Sequence, residues 1–275
     1  MDQLILTVTL NPAIDLTYHV GELKPGETHR VSRVDERLGG KGVNVASVLA
    51  QLGVPAVATG LLRDGQPAFF PIAGATRRTV VVTDGRDATG FWEPGPVVTP
   101  EEWRGFQGHF SLLLKQSRVV VLAGSLPGGL PDDAYATLIG LCREAGVASI
   151  LDTSGAALRH GVAAGPDVVK PNATELTELG SPGGGTVVVT SRAEHGLEAL
   201  RWRARPPRRI EGNPTGAGDA CVAALARGLL HRAGWPDLLR DAVALSAAAV
   251  ASPVAGRADL ELYENLLPHI VIEES

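Results

Sequence analysis

Apolar and polar positions repeat along this chain with two different periods. LILTVTL (4–10) is an apolar run of strand length stopped by Asn11–Pro12, which predicts a buried central strand. In GGKGVNVASVLAQLG, Val45, Val48, Leu49 and Leu52 fall on one helical face, with Gly53 as the C-cap. PAVATG predicts the next strand. TPEEWRGFQGHFSLLLKQ predicts a helix with Thr99 as N-cap, Glu102 three residues on and Pro100 at the first helical position. RVVVLAG is a strand, PDDAYATLIGLCREAG a helix, and VASILD, DVVKPN and TVVVTS are strands. Helices follow over 216–232 and 237–251.

Strand and helix alternating with short connections imply a mostly parallel sheet wrapped on both faces. Ligands of such sheets bind beyond the carboxyl ends of the strands. That rule selects the loops Asn11–Asp15, Gly124–Pro127, Asp152–Gly155, Lys170–Glu175 and Thr190–Gly196. Segments near 16–20, 29–37, 76–83 and 88–93 are strand-like, partly polar and have no helix between them, so they predict a small β flap beside the main sheet.

Composition narrows the class without changing this picture. A length of 275 residues suits one large α/β domain, spanning 1–275 with lid segments near 16–37 and 76–93 inserted in it. The net charge of −5 supplies no drive toward nucleic acid or an anionic membrane. The local exception, RWRARPPRR (201–209), alternates arginine with Trp202 and Ala204 and reads as the wet face of an edge strand. Cys142 and Cys221 lie in helical patterns without a CxxC and read as buried free thiols of a reducing compartment. The start lacks the basic region of a signal peptide, and AVALSAAAVASPVAG is too short to span a bilayer. The expectation is a soluble, cytoplasmic protein.

Candidate chemistry begins at NPTGAGDACVAAL, where Gly216, Gly218 and Asp219 stand at the start of an apolar helix. A helix start leaves amides unpaired and carries partial positive charge, and glycines let a phosphate approach it. Asp219 in the first turn would accept a proton from an attacking hydroxyl, or else only complement the helix dipole. LGGKGVNVA (38–46) is a second such start, where Lys41 could neutralise a phosphate and Asn44 bind a hydroxyl. Asp15, in TLNPAID, offers acceptor oxygens to sugar hydroxyls. Together they describe a phosphoryl donor meeting a polyol. The sequence has no P-loop, no dinucleotide fingerprint, no protein-kinase motif and no paired-histidine zinc spacing.

GGKGVNVA with NPTGAGDACVAAL resembles the two signature regions of the ribokinase/phosphofructokinase-B family of carbohydrate kinases. TLNPAID, GSLPGGLP, LDTSG and KPNATEL are similar to the branch containing 1-phosphofructokinase and tagatose-6-phosphate kinase. The resemblance runs from about residue 5 to 255. It implies a ribokinase-like three-layer α/β/α sandwich with a β lid, ATP with magnesium, and a catalytic aspartate; it also admits a monovalent cation. Carried over, Asp219 is the base, and the amides of Gly216, Ala217 and Gly218 form the anion hole. Asp15, Gly40, Lys41 and Asn44 hold the sugar, and Arg77 reads a phosphate already on it. Asn172 and Glu175 organise magnesium and the phosphates, Glu175 indirectly. Lys170, Thr190 and Gly196 face the nucleotide.

The pattern departs from the family in three places. LLRDGQPAFFPIAGA replaces a βα unit between Gly60 and Arg77, and Pro67 and Pro71 forbid a regular helix there. In TSRAEHG, Arg192 and His195 stand where the family has glycine, and Pro214 replaces a small or hydroxyl residue. The resemblance therefore implies an ATP-dependent kinase of a ketohexose phosphate, fructose 1-phosphate ahead of tagatose 6-phosphate. Alternatives are a degenerate, non-catalytic sugar-phosphate binder, or a kinase of an unphosphorylated sugar or nucleoside. A lid with free edges also suggests a homodimer.

Overall fold

Strand β1 (Leu4–Thr9) lies at the centre of a computed structural model that describes residues 4–63, 66–179, 185–192, 195–252 and 254–274. After Asn11–Pro12 the chain forms β2 (Ala13–His19) and β3 (Arg33–Gly39), then helix α1 (Lys41–Gln51) and β4 (Ala56–Leu62). A two-residue strand β5 (Phe70–Pro71) precedes β6 (Arg77–Thr83) and β7 (Ala88–Trp92). Regular alternation follows: α2 (Pro100–Leu114), β8 (Ser117–Ala123), α3 (Ala134–Ala145), β9 (Ala148–Asp152), α4 (Gly155–Ala163), β10 (Val168–Val169), α5 (Ala173–Leu179) and β11 (Val187–Ser191). The chain closes with β12 (Leu197–Ala199), β13 (Trp202–Arg205), α6 (Ala217–Leu230), α7 (Trp235–Val250), α8 (Leu260–Leu266) and β14 (Val271–Glu274).

Among the described residues the main sheet has ten strands in the order β14-β13-β12-β11-β10-β9-β8-β1-β4-β5, parallel from β11 to β5 and antiparallel from β11 to β14. The period-2 rule explains the layers. In β1, Ile5 joins the core under α1, α6 and α7, while Leu6 and Val8 join the core under α2, α3 and α4. In β8, Val119 and Val121 face the first layer, Val120 and Leu122 the second. Both faces are buried, so these strands read as continuous apolar runs.

The flap is a separate four-stranded sheet, β3-β2-β6-β7. It grows from the carboxyl end of β1, and its third residue pair sets Asp15 opposite Arg37. Four strands form in the expected order, but β2 begins three residues earlier than the pattern implied, because Ala13 and Ile14 already pair with Gly39 and Leu38, and β3 begins at Arg33 rather than near 29.

Local signals explain several helix ends. At α2 the Thr99 side chain accepts from the Glu102 amide and the Glu102 carboxylate accepts from the Thr99 amide, with Pro100 at the first position. Gly53 adopts φ 68 one residue beyond the Leu52 C-cap of α1, so the expected glycine stop lies one position outside the cap. Helices α4, α5 and α8 were not predicted; α5 and α8 are seven residues each, too short for a helical period to declare itself.

One expectation is corrected. RWRARPPRR is not an edge strand: β13 is paired on both sides, because β14 from the far end of the chain adds outside it. Its arginines do face water, and Arg201, Arg203 and Arg205 are paired with Glu274, Glu198 and Glu273. Cys142 and Cys221 are buried and free, as expected. Between β4 and β6 no helix forms among the described residues, in keeping with Pro67 and Pro71; Asp64 and Gly65 of that segment lie outside them. No helix among the described residues is long and apolar enough to cross a membrane.

Candidate active site

The carboxyl ends of β1, β9 and β10 point toward the first turn of α6, and the charged groups of the sequence motifs meet there. Gly216 caps α6 in the left-handed region, φ 93, and a Cβ at this position would sit 2.9 Å from Ala255 Cα. Both facts demand glycine. Ala217 is the first helical residue, but its amide donates to the Pro214 carbonyl at 3.2 Å. Gly218 leaves its side bare, and the nearest atom to where a Cβ would stand is Lys170 Nζ, 3.7 Å away.

Asp219 follows in the same turn and is buried, 7 % exposed. Asn44, one turn into α1, donates from Nδ2 to Asp219 Oδ2 at 2.8 Å. Burial is the main force on this carboxyl and the nearby Asp152 charge adds to it, while Asn44, Lys41 and Lys170 pull the other way. The balance pushes its pKa up to about 6. Asn44 was expected to hold a sugar hydroxyl; in this structure one of its amide hydrogens is given to Asp219.

Lys41 and Lys170 converge on a residue to which the sequence motifs assign no role. Asp152, the last residue of β9, accepts from Lys41 Nζ at 3.2 Å and lies 3.4 Å from Lys170 Nζ, both through Oδ1. It is 2 % exposed, and its Oδ2 is buried without a hydrogen-bond partner. Burial disfavours the Lys170 ammonium, but Asp152, with help from Asp219, outweighs this and raises its pKa. An aspartate ending the apolar run VASILD was the available signal, since a buried carboxylate needs a cationic partner.

Under the lid, Asp15 Oδ2 accepts from Arg37 Nη2 at 3.2 Å. Burial raises the Asp15 pKa against the opposing pull of Arg37 and Arg77. Arg77 donates through Nε and Nη2 to the Asn11 carbonyl, both at 3.2 Å, and is half-buried. It lines an open hollow of about 430 Å³ between Gly74–Arg77 and Glu93–Val97. Gly40 caps α1 at φ 118 against Thr9, whose hydroxyl accepts from the Val43 amide at 3.2 Å.

The remaining expected residues stand around the end of β11. Asn172 pairs with Ser191 and forms a reciprocal cap with Glu175: the Asn172 amide donates to Glu175 Oε2 at 2.8 Å, and the Glu175 amide to Asn172 Oδ1 at 2.9 Å. Thr190 is buried in β11. Gly196 has φ 91, and a Cβ there would overlap the Ala204 carbonyl, so its bareness serves the approach of β13. Arg192 is held by Glu198 at 2.7 Å. Ala193 and Glu194 of this loop lie outside the described residues. No cluster of three or more His, Cys, Asp or Glu side chains able to hold a metal ion occurs among the described residues.

Fold and site together define a three-layer α/β protein with a β lid and a buried, charged site at its strand ends. The model of the pfkB family of carbohydrate kinases matches residues 8–70, 73–203 and 184–261, and the chain belongs to that family. It is a carbohydrate kinase, and the family implies ATP and usually a divalent metal. A Thermotoga maritima structure described as a possible 1-phosphofructokinase is 26 % identical, covering 99 % of this chain and 100 % of that one with a TM-score of 0.83. Escherichia coli phosphofructokinase-2 in complex with potassium is 24 % identical, with 98 % and 99 % coverage and a TM-score of 0.86. The same enzyme in complex with fructose-6-phosphate is 25 % identical, with 97 % and 99 % coverage and a TM-score of 0.82.

Proposed function

We propose that the protein transfers the γ-phosphoryl group of ATP to a hydroxyl of a ketohexose phosphate, with fructose 1-phosphate ahead of tagatose 6-phosphate, and that Asp219 is the general base. The observation that carries this reading is the buried Asp219 at the start of α6, held by Asn44 and raised to about 6. A base with a pKa just below neutrality is ionised at physiological pH and still basic enough to take the proton of an attacking hydroxyl. Phosphoryl transfer otherwise asks for positioning and charge neutralisation. The α6 start and the Lys170 ammonium would face the transferred group, and Lys41 would approach it from α1. Asp15 and Gly40 would seat the sugar, and Arg77 would bind its existing phosphate as a planar fork.

Magnesium would neutralise phosphate charge in this site. The orphaned Asp152 Oδ2 would be available to it, and Glu175, whose Oε2 accepts from the Asn172 amide, would act indirectly. A monovalent cation beside the nucleotide belongs to the same reading, and potassium dependence of turnover is its check. Val34, Phe91 and Trp92 of the lid stand 52, 58 and 70 % exposed, which favours a homodimer through the lid, checked by sedimentation. Two buried free thiols suit the cytoplasm.

A second reading, a sugar-phosphate binder without catalysis, is favoured by the lost βα unit between β4 and β6, where no helix forms among the described residues. A panel of fructose 1-phosphate, fructose 6-phosphate, tagatose 6-phosphate, fructose and a nucleoside, each with ATP and Mg²⁺ and followed by ADP release, separates the two. ADP formed with one phosphosugar supports the kinase. No ADP, with a phosphosugar still raising Tm, replaces it with the binder.

A further inference from the structure

Arg37 is a lid residue whose two terminal nitrogens reach two different parts of the protein. Nη2 holds Asp15 Oδ2 at 3.2 Å, directly across the β2–β3 pair, and Nη1 donates to the Ala255 carbonyl, more than two hundred residues away in sequence. Ala255 belongs to the segment after α7 that packs on the anion-binding helix start: a Cβ at Gly216 would lie 2.9 Å from Ala255 Cα and 3.3 Å from the Gly256 nitrogen. The next residue, Gly256, comes so near Asn44 that a Cβ on it would be 2.9 Å from Asn44 Oδ1, and Asn44 is the residue that holds Asp219. From the other side Gln51 of α1 fixes the same segment, donating to the Gly256 carbonyl at 2.9 Å and accepting from the Ala258 amide at 3.3 Å. The segment is thus clamped between α1 and a single lid side chain, with the α6 start beneath it.

We propose that Arg37 is a positioning residue that couples acceptor binding at Asp15 to nucleotide binding at the start of α6. A guanidinium is a rigid fork, so the positions of its two partners depend on each other. An acceptor whose hydroxyls engage Asp15 fixes Arg37, Arg37 fixes the Ala255 carbonyl, and the segment presses Gly216 into the geometry that receives phosphate. The coupling is reciprocal, as binding linkage requires. This inference rests on the kinase reading, since it needs both ligands.

The test is calorimetric titration of a non-hydrolysable ATP analogue with Mg²⁺, with and without saturating fructose 1-phosphate, and the converse titration. The wild type is expected to show mutual tightening of about 5–10-fold. Arg37→Gln, which removes the fork, should bring that factor to about one. Arg37→Lys, which can reach one partner but not both, should also lose the coupling while keeping more acceptor affinity. The lid register is held by seven backbone residue pairs, so both variants should fold, with circular dichroism as the check and Arg37→Lys as the milder change. A coupling factor unchanged in both variants, or a wild-type factor of one in an enzyme that does transfer phosphate, overturns the role of Arg37 and leaves the kinase standing. A wild type that transfers no phosphate and binds neither ligand overturns both.

Discussion

Replacing Asp219 by asparagine should make the protein inactive and more stable at neutral pH. Burial and Asp152 raise the Asp219 carboxyl from 3.8 to about 6, which means the fold prefers the protonated acid. That preference is fully present below the unfolded value of 3.8 and is lost as pH rises through about 6. From the two values, ionisation costs the fold about 3 kcal/mol at pH 7.5 and roughly half as much at pH 5. The neutral Asp219→Asn amide keeps an oxygen that can accept from Asn44 and removes the buried charge, at the cost of some attraction to Lys41 and Lys170. Its advantage over wild type should therefore grow with pH to a ceiling of about 3 kcal/mol, or about 6–10 °C in Tm for a chain of this size. Urea denaturation at pH 5 and pH 7.5 measures both proteins on one scale. A variant less stable than wild type at pH 7.5, or one whose advantage does not grow between the two pH values, would refute the electrostatic reasoning.

Three further outcomes follow from the same geometry. The kcat/KM of the wild type should fall about tenfold per pH unit below pH 6 and level off above it, as expected for a base ionising near 6; a profile flat to pH 5 contradicts the assignment. Arg77→Ala should raise KM for fructose 1-phosphate by about 10–100-fold and leave KM for fructose unchanged, because a charge-assisted bond to the existing phosphate is lost. Thr99→Ala, in the α2 capping box, should cost about 1 kcal/mol in chemical denaturation.

The groups legible in the sequence were those whose signal is local. Thr99, Pro100 and Glu102 form a cap whose three members lie within four residues, and the structure contains it as read. The placing of Asp219 was legible because two glycines followed by an apolar alanine-rich run mark a helix start, and the structure sets it buried in the first turn of α6. The flap was legible because its strands are half-polar and lack helices between them. What escaped depends on partners distant in the chain. Asp152 becomes conspicuous only when Lys41 and Lys170 arrive beside it, and Arg37 only when Ala255 does. The edge assignment of RWRARPPRR failed for the same reason, since β14 that covers it is contributed by the chain's other end. For Asn172 and Glu175 the N-x-x-E spacing fits a helix cap as well as a magnesium element; the structure forms the cap, and the cap leaves the magnesium role a proposal.

We propose that a phosphoryl group passes from ATP to a sugar phosphate under the control of Asp219. Phosphorus NMR of a reaction containing ATP, Mg²⁺ and fructose 1-phosphate tests it most directly, run in parallel with Asp219→Asn. Transfer controlled by Asp219 predicts one new phosphomonoester signal growing in step with ADP for the wild type and none for the variant. Growth of inorganic phosphate alone, or an equal product signal from the variant, would contradict it.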